Sequence, residues 1–437
     1  MSQIVKPSTL PGFMELLPQE QILFNEMMTK IRTNFENHGF LPINTPNIEK
    51  SEVLLAKGGG ETEKQIYRFQ KGDTDMSLRF DLTVPLARYT VEHFNELSFP
   101  FRRYHIGKVY RGEKAQKGRF REFYQCDIDT IGNEKLDISN DAEFPVVIYH
   151  TFKDLGFDNF TIKLNNRKIL NGFFASLEID DMTSVLRAVD KFDKIGRENV
   201  IKELVENGVS QEAAEKILDF IAIEGSNEEI FAQLHDLKIE NPVFKEGLEE
   251  LEKVISYIKD YDISEENYHV DLKIARGLDY YTATVYETIL NDYPKLGSVC
   301  SGGRYENLAS YYTDKKLPGV GISIGLSRLF YQLNEAKIIK AEKKSLIDLI
   351  VIPMDGLLEE GIKLISKLRN KGVKCIVYTE EAKLKKKFKY ADSLDIPYTI
   401  VLGEDEVKSG KYTLKNMKTG EQDLFDVDEI VEKMNKL

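Results

Sequence analysis

Cysteine is scarce in this chain. Cys126, Cys300 and Cys375 are the three among 437 residues, far apart and without a CxxC pair, which argues against a disulfide framework or a zinc site. The start, MSQIVKPSTLPGF, has no apolar h-region, and no apolar run approaches the ~20 residues that a membrane-spanning helix needs. A cytoplasmic location and no membrane partner are therefore expected. Internal repeats and low-complexity tracts are missing. Gly58, Gly59 and Gly60 are not followed by the Lys-Ser/Thr of a P-loop. Gly319, Gly321 and Gly325 are spaced GxGxxxG, not GxGxxG, and no acidic partner follows about 20 residues on, so a dinucleotide-binding turn is rejected. No signature of a nucleophilic Cys, a Ser–His pair or a Schiff-base Lys is found. An excess of cations is missing too: 60 Lys and Arg face 72 Asp and Glu, for a net charge of -12. That balance opposes non-specific coating of nucleic acid but leaves room for one RNA met by local basic patches.

What is present is a chain long enough for two or three domains. Its charged fraction of 30% and hydrophobic fraction of 42% are ordinary for a globular protein. The most informative stretch is Tyr110–Asp129, YRGEKAQKGRFREFYQCDID. It predicts a β-hairpin with an outgoing strand over 104–113, a tip at Lys114–Gly118 and a return strand over 119–129. Strand alternation puts Arg119, Arg121, Phe123, Gln125, Asp127 and Asp129 on one face, and Val109, Arg111 and Glu113 on one face of the partner strand. Arg111 and Arg119 suit a phosphate, because guanidinium presents a rigid fork of donors. Phe123 suits a flat base, and Asp127 with Asp129 a cation such as an ammonium. The tip, with Lys114, Lys117 and Arg119, suits a nucleic-acid backbone. The rival reading is a charged hairpin in water; segregation of sign along one face weighs against it.

In chain order, Pro18 to about His38 predicts an amphipathic helix with Phe24, Met27, Met28, Ile31 and Phe35 inward. The prolines of Leu41–Pro46 then suit an edge or interface strand. Lys57–Thr62 is a loop that could form a lid. In Met76–Tyr89 a strand leads to a helix opened by Pro85. Asp81 and Thr83 there either cap that helix or face a ligand. A helix over 141–155 and a strand over 160–164 follow. Residues 168–261 are polar and helical, with Ser210 and Ser226 as N-caps and Ser226–Glu229 as a capping box. They show no identifiable chemistry. Val270–Ala275 predicts a strand, Arg276-Gly277 a turn that projects the guanidinium, and Thr282–Tyr286 another strand. Ser298–Tyr305 is a strand entering a Gly-Gly turn. Pro318–Leu329 is a strand that becomes a helix near Gly325. From about Ser345, strands over 346–353, 373–378, 398–402 and 411–417 alternate with helices. One helix spans 357–370 with Leu358, Ile362 and Ile365 on one side, and the layout predicts a small α/β domain with a mostly parallel core. The Lys383–Lys389 run is either a solvated face or an RNA contact.

Several of these stretches together are similar to a known family. Arg111-Gly-Glu113, Gln116–Arg119 and Arg121–Gln125 through Asp129 resemble motif 2 of class II aminoacyl-tRNA synthetases, in the form carried by histidyl-tRNA synthetases. The first helix and its proline-bearing strand resemble motif 1, the family's dimer interface, and Pro318–Leu329 resembles motif 3. Arg276-Gly-Leu-Asp-Tyr-Tyr281 and Ser298–Tyr305 resemble the two signatures peculiar to the histidyl enzymes. The C-terminal layout resembles the anticodon-binding domain appended to the histidyl, threonyl, prolyl and glycyl synthetases.

The resemblance implies an α+β catalytic domain built on an antiparallel sheet, with a helical insertion and a C-terminal α/β anticodon-binding domain. The boundaries are 1–167 and 262–341 for the catalytic domain, 168–261 for the insertion and 345–437 for the appended domain. It implies that L-histidine is activated by ATP and passed to the terminal adenosine of tRNA-His, by a homodimer, with Mg²⁺ on the phosphates. Arg111 and Arg276 would be catalytic. Asp81, Leu82, Thr83, Gln125, Asp129, Tyr280 and Tyr281, with the same two arginines, would bind histidine, and Tyr305 would line its pocket. Arg111, Glu113, Arg119, Phe123 and Arg328 would bind ATP. Lys114, Gln116 and Lys117 would contact tRNA, and no residue is assigned to a metal. Asp81 and Asp129 stand where some members carry Glu. The rivals are a histidine-sensing regulatory subunit of ATP phosphoribosyltransferase, which lacks the appended domain, and a synthetase of another specificity.

Overall fold

The computed structural model describes residues 5–56, 61–114, 118–179, 181–189, 191–274 and 281–436. The chain divides into two compact units, Met1–Met14 with Met27–Ile338, and Glu15–Glu26 with Ile339–Leu437. No helix among the described residues is long and apolar enough to cross a membrane.

The first helix, Pro18–Asn37, starts at a proline whose missing N–H would be unpaired anyway. It ends before Gly39, whose φ of +77° turns the chain back. A two-residue strand β1 (Leu41–Pro42) follows, then β2 (Ile48–Lys50), β3 (Arg68–Lys71), β4 (Thr74–Leu78), and the long hairpin β5 (Phe101–Tyr110) and β6 (Glu122–Ile131). After them come β7 (Phe160–Asn166), β8 (Tyr268–Val270), β9 (Tyr281–Leu290), β10 (Ser298–Tyr305) and β11 (Gly319–Ile324). The main sheet has the order β1-β5-β6-β11-β10-β9-β7-β8, and β2-β4-β3 forms a small second sheet. From β5 to β7 every pairing is antiparallel; only the edge strands β1 and β8 pair parallel. The proline-bearing β1 lies at an edge, where a missing N–H breaks no ladder.

The hairpin strands are shorter than the sequence pattern suggests. Pairing stops at Tyr110 and Glu122, so Arg111, Glu113 and Arg119 lie beyond the ladder. Arg121 leaves the predicted face: its Nε donates to the Glu113 carbonyl at 3.0 Å. The strand predicted over 270–275 ends at Val270, its last residue.

The polar stretch is helical throughout its described length, and Ser226 makes its capping box with Glu229. Its two flanking helices, Arg167–Ser176 and Pro242–Asp260, cross closely. A Cβ on Gly172 would lie 2.4 Å from the Phe244 N, and one on Gly247 2.7 Å from the Lys168 Cβ. Glycine at both crossings lets the backbones meet.

In the C-terminal unit, β12 (Leu349–Pro353), β13 (Cys375–Val377), β14 (Tyr398–Leu402), β15 (Tyr412–Asn416) and β16 (Gln422–Phe425) order as β13-β12-β14-β15-β16. The first three pair parallel and the last two antiparallel. The predicted apolar stripe of the helix Leu358–Asn370 is displaced. Leu358 and Ile362 are exposed, while Gly361, Leu364, Ile365 and Leu368 face the sheet. The Lys383–Lys389 run is not wholly solvated. Lys387 is buried, with its Nζ donating to the Pro353 carbonyl at 2.8 Å.

Candidate active site

Cross-strand register assembles the site. Arg103, Asp129, Gly321 and Gly303 lie opposite one another across β5, β6, β11 and β10. The next row of the same face holds His105, Asp127, Ser323 and Ser301. The first row has no side chains at Gly321 and Gly303, and that gap is occupied from both sides. A Cβ on Gly321 would stand 2.2 Å from Asp129 Oδ1, one on Gly319 2.5 Å from the Tyr305 ring, and one on Gly303 2.9 Å from the Tyr281 ring. The glycines of β10 and β11 thus clear the floor for one acid and two phenols.

Above that floor is a cavity of about 1250 Å³. Ten of the sequence-predicted residues line it: Asp81, Thr83, Arg111, Glu113, Arg119, Phe123, Gln125, Asp129, Tyr281 and Arg328. Tyr305 lines it as well. Leu82 does not. It is fully buried, and its carbonyl accepts from Arg103 Nη2 at 3.5 Å. Lys114 is exposed away from the cavity. Arg276, Tyr280, Gln116 and Lys117, with the turn and tip they belong to, lie outside the described residues.

The segment 79–83 is held along the hairpin by Arg79. Its Nε donates to the Lys108 carbonyl at 2.8 Å, and its own carbonyl accepts from the Tyr110 N–H. Asp81 therefore sits beside β5 and β6. Its Oδ1 accepts from the Val84 N–H at 3.0 Å at the start of the helix Thr83–Glu92, while Oδ2 is buried with no partner. Capping and ligand binding are then compatible roles, one for each oxygen. Arg111 donates from Nε to the Phe80 carbonyl at 3.0 Å, and its Cζ lies 5.1 Å from the Phe123 ring centroid. Arg119 pairs loosely with Glu113 at 3.6 Å. Arg328 opens the helix Leu326–Glu335 and donates to the Leu296 carbonyl at 3.2 Å.

Arg103 is the residue that sequence reading missed. It is wholly buried and pairs with Asp129 Oδ2 at 2.5 Å, while Tyr305 donates its hydroxyl to Asp129 Oδ1 at 3.0 Å. The signal existed: strand alternation and the hairpin register place Arg103 opposite Asp129. The polar helical stretch also contributes. Ser184, Leu186, Arg187, Lys191, Glu203 and Asn207 line the cavity, where no chemistry was assigned. Nothing in their spacing announces it.

Charge dominates the side of the cavity formed by β6. Burial drives Asp127 up to about 7 and Asp129 up to about 6, outweighing the opposing pull of Arg103 on both. Burial also raises Asp81. Three buried carboxyls thus surround one buried arginine, an arrangement that attracts a cation.

Gly321→Ala tests the floor. The new methyl meets Asp129 Oδ1 and, at 2.6 Å, the Ile128 carbonyl, and backbone cannot yield cheaply. The expected loss is about 1–3 kcal/mol of stability, with a raised KM for the amino acid the cavity holds. Urea unfolding together with substrate titration checks it, and an unchanged pair of values would refute the role of the gap.

An antiparallel sheet carrying such a hairpin, with the third strand feeding an arginine-bearing helix, is the catalytic core of a class II aminoacyl-tRNA synthetase. Comparison with known proteins narrows the class. Residues 12–329 match the family model described as histidyl-tRNA synthetase, and 348–437 match the anticodon binding domain. The chain belongs to the histidyl-tRNA synthetase family. It is 62% identical over 429 residues to a histidine–tRNA ligase of Clostridium tetani, covering 98% of both chains. It is 51% identical over 431 residues to that of Finegoldia magna, covering 99% and 100%. The crystal structure of histidyl-tRNA synthetase from Nostoc sp. PCC 7120 superposes with a TM-score of 0.91 at 39% identity, over 99% of this chain and 100% of that one. A Bacillus halodurans chain described as an ATP phosphoribosyltransferase regulatory subunit/histidyl-tRNA synthetase shares the fold at 19% identity and a TM-score of 0.74, over 90% and 97%.

Proposed function

We propose that the chain is a histidine–tRNA ligase: ATP activates histidine to the histidyl adenylate, which then acylates the terminal adenosine of tRNA-His. The observation that carries this reading is one cavity with arginines and an aromatic ring on the hairpin and helix, and three buried carboxyls beside them, Asp127 and Asp129 on β6 and Asp81 just before the helix Thr83–Glu92. The first set fits a nucleotide, the second an amino acid rich in N–H donors.

Adenylation needs orientation and charge neutralisation more than a protein nucleophile. The histidine carboxylate attacks the α-phosphorus and pyrophosphate leaves. Arg111 sits where it can hold both reacting groups. Glu113 accepts from the adenine amino group, Phe123 stacks on the base, and Arg119 and Arg328 hold the outer phosphates. Asp81 and Gln125 receive the ammonium beside Thr83, while Asp129, with Tyr281, receives the imidazole. The resemblance of the RGLDYY stretch assigns Arg276 and Tyr280, outside the described residues, to the same groups. Mg²⁺ would be held by the nucleotide's phosphates and not by this chain, and would supply neutralisation of their charge. The nucleotide side of the cavity is rich in arginine, and among the described residues no group of three His, Cys, Asp or Glu is arranged for a metal. The C-terminal unit binds the anticodon stem, the protein works as a cytoplasmic homodimer, and domain boundaries at 168, 261 and 345 separate the parts. The regulatory-subunit alternative is disfavoured: relatives from 62% down to 46% identity along nearly the whole chain are ligases.

ATP–pyrophosphate exchange with each amino acid in turn tests the proposal. Exchange with histidine alone is expected. Exchange that ignores histidine, or that another amino acid drives better, would remove it.

A further inference from the structure

The role of one buried acid is not accounted for by the reading above. Asp127 is 2% exposed and lines the cavity, yet its Oδ1 has no partner among the described residues. Three more oxygens of cavity-lining residues share that condition: Asp81 Oδ2, Gln125 Oε1 and, on the helix Leu326–Glu335, Gln332 Oε1. Buried acceptors are almost always paired, and an unpaired one costs about 1–3 kcal/mol. Asp127, Asp81 and Gln125, the three beside the hairpin, call for a donor that a ligand brings.

The three are tied together. Gln125 and Asp127 are two apart on β6 and face the same way. Gln125 Nε2 donates to the hydroxyl of Ser323, the cross-strand partner of Asp127, at 2.7 Å. The amide thus has its nitrogen on Ser323 and its Oε1 toward the cavity. The Asp81 charge is felt at Asp127. Asp129, by contrast, is satisfied on both oxygens, by Arg103 and Tyr305. Arg103 pairs directly with Asp129 and pulls on Asp127 and Asp81 only from farther off, so among the described residues Asp81 and Asp127 are the acids of this wall with no ion pair.

A group that matches three acceptors, two of them anionic, carries three N–H donors and a positive charge. A primary ammonium does so and a neutral imidazole, with one donor, does not. We propose that Asp127 is a third receiver of the substrate's α-ammonium, completing a three-point cradle with Asp81 and Gln125, and is thus a specificity-determining residue for the amino acid. The inference rests on histidine being the substrate. It assigns Asp127 to the ammonium and leaves Asp129 to the ring.

The test uses the full-length protein and two analogues. Histidinol keeps the ammonium and ring but lacks the carboxylate; imidazolepropionate keeps the ring and carboxylate but lacks the ammonium. In Asp127→Asn, the histidine KM and the histidinol inhibition constant are expected to rise together, tenfold or more. The imidazolepropionate constant and the ATP KM stay as in wild type. Equal weakening of imidazolepropionate would move Asp127 to the ring and overturn the assignment. So would an unchanged histidine KM, or an ATP KM that rises by the same factor. If Asp127→Asn does not fold, Asp127→Glu keeps the charge but lengthens the arm, so histidine and histidinol are expected to bind more weakly while imidazolepropionate binds as in wild type; unchanged histidine and histidinol constants, or equal weakening of imidazolepropionate, would overturn the cradle. A wild-type protein that ignores histidine removes the proposed function itself. A wild-type protein that uses histidine beside an indistinguishable Asp127→Asn removes this inference alone.

Discussion

Arg111→Ala is expected to slow histidine-dependent pyrophosphate exchange by about 10²–10³-fold, the usual effect of deleting one donor aimed at developing charge. The fold should survive. Arg111 is only half-buried, and its departure strands one backbone carbonyl, that of Phe80, which water can reach through the cavity. The stability cost is then that of one hydrogen bond, about 1 kcal/mol. Arg111→Lys should restore little, because an ammonium lacks the planar fork that spans a phosphate and a carboxylate at once and cannot lie over Phe123 in the same way. Exchange kinetics beside a urea melt decide the matter. Near-wild-type exchange in Arg111→Ala would take the reacting groups away from this side chain.

Arg103→Met is expected to act in the opposite sense, on the fold more than on the nucleotide. Arg103 is 0% exposed and neutralises Asp129 from below the floor. Removing one member of a buried pair costs about 3–5 kcal/mol, because the other is left buried and unpaired. The loss should depend on pH. Asp127 and Asp129 already have folded pKa values near 7 and 6, above those of an unfolded chain. Groups raised in this way support the fold below their unfolded pKa, and that support is lost as pH rises through the folded value. Without Arg103 both rise further, so the destabilisation should be greater at pH 8 than at pH 5. Asp129→Asn in the same chain should recover most of it. Equal urea midpoints for Arg103→Met and wild type at pH 8 would show that the pair is not a stabilising element.

Much of this site was legible because strands alternate. Phe123, Gln125, Asp127 and Asp129 fall on one face by counting in twos, and the cavity takes all four. Arg121 obeyed the same count and was misplaced, since the ladder ends at Glu122 and the backbone is then free to turn. Arg103 was missed because the outgoing strand was begun at 104, three residues after its start at Phe101. Leu82 came in only as the residue between two ligands; side chains there alternate, and Leu82 points into the core. The Gly-Gly pair predicted to turn the chain lies inside β10 instead. Gly303, with Gly319 and Gly321 of β11, accommodates Tyr281, Tyr305 and Asp129, neighbours that are distant in sequence and hidden from local pattern. The shifted stripe on the helix Leu358–Asn370 has a similar cause. Gly361 carries no hydrophobic signal, yet it faces the sheet because a Cβ there would press Pro353 at 2.8 Å.

The excursion between β7 and β8 leaves and returns at neighbouring points. Leu164 is paired with Val270, so about a hundred residues depart and come back within one strand spacing of roughly 5 Å. Closing such a loop costs entropy that grows only with the logarithm of its length, about 0.6 kcal/mol for each doubling. The main sheet is therefore nearly indifferent to how long the excursion is. Lengthening or trimming it during evolution would leave the catalytic floor intact while reshaping one wall of the cavity.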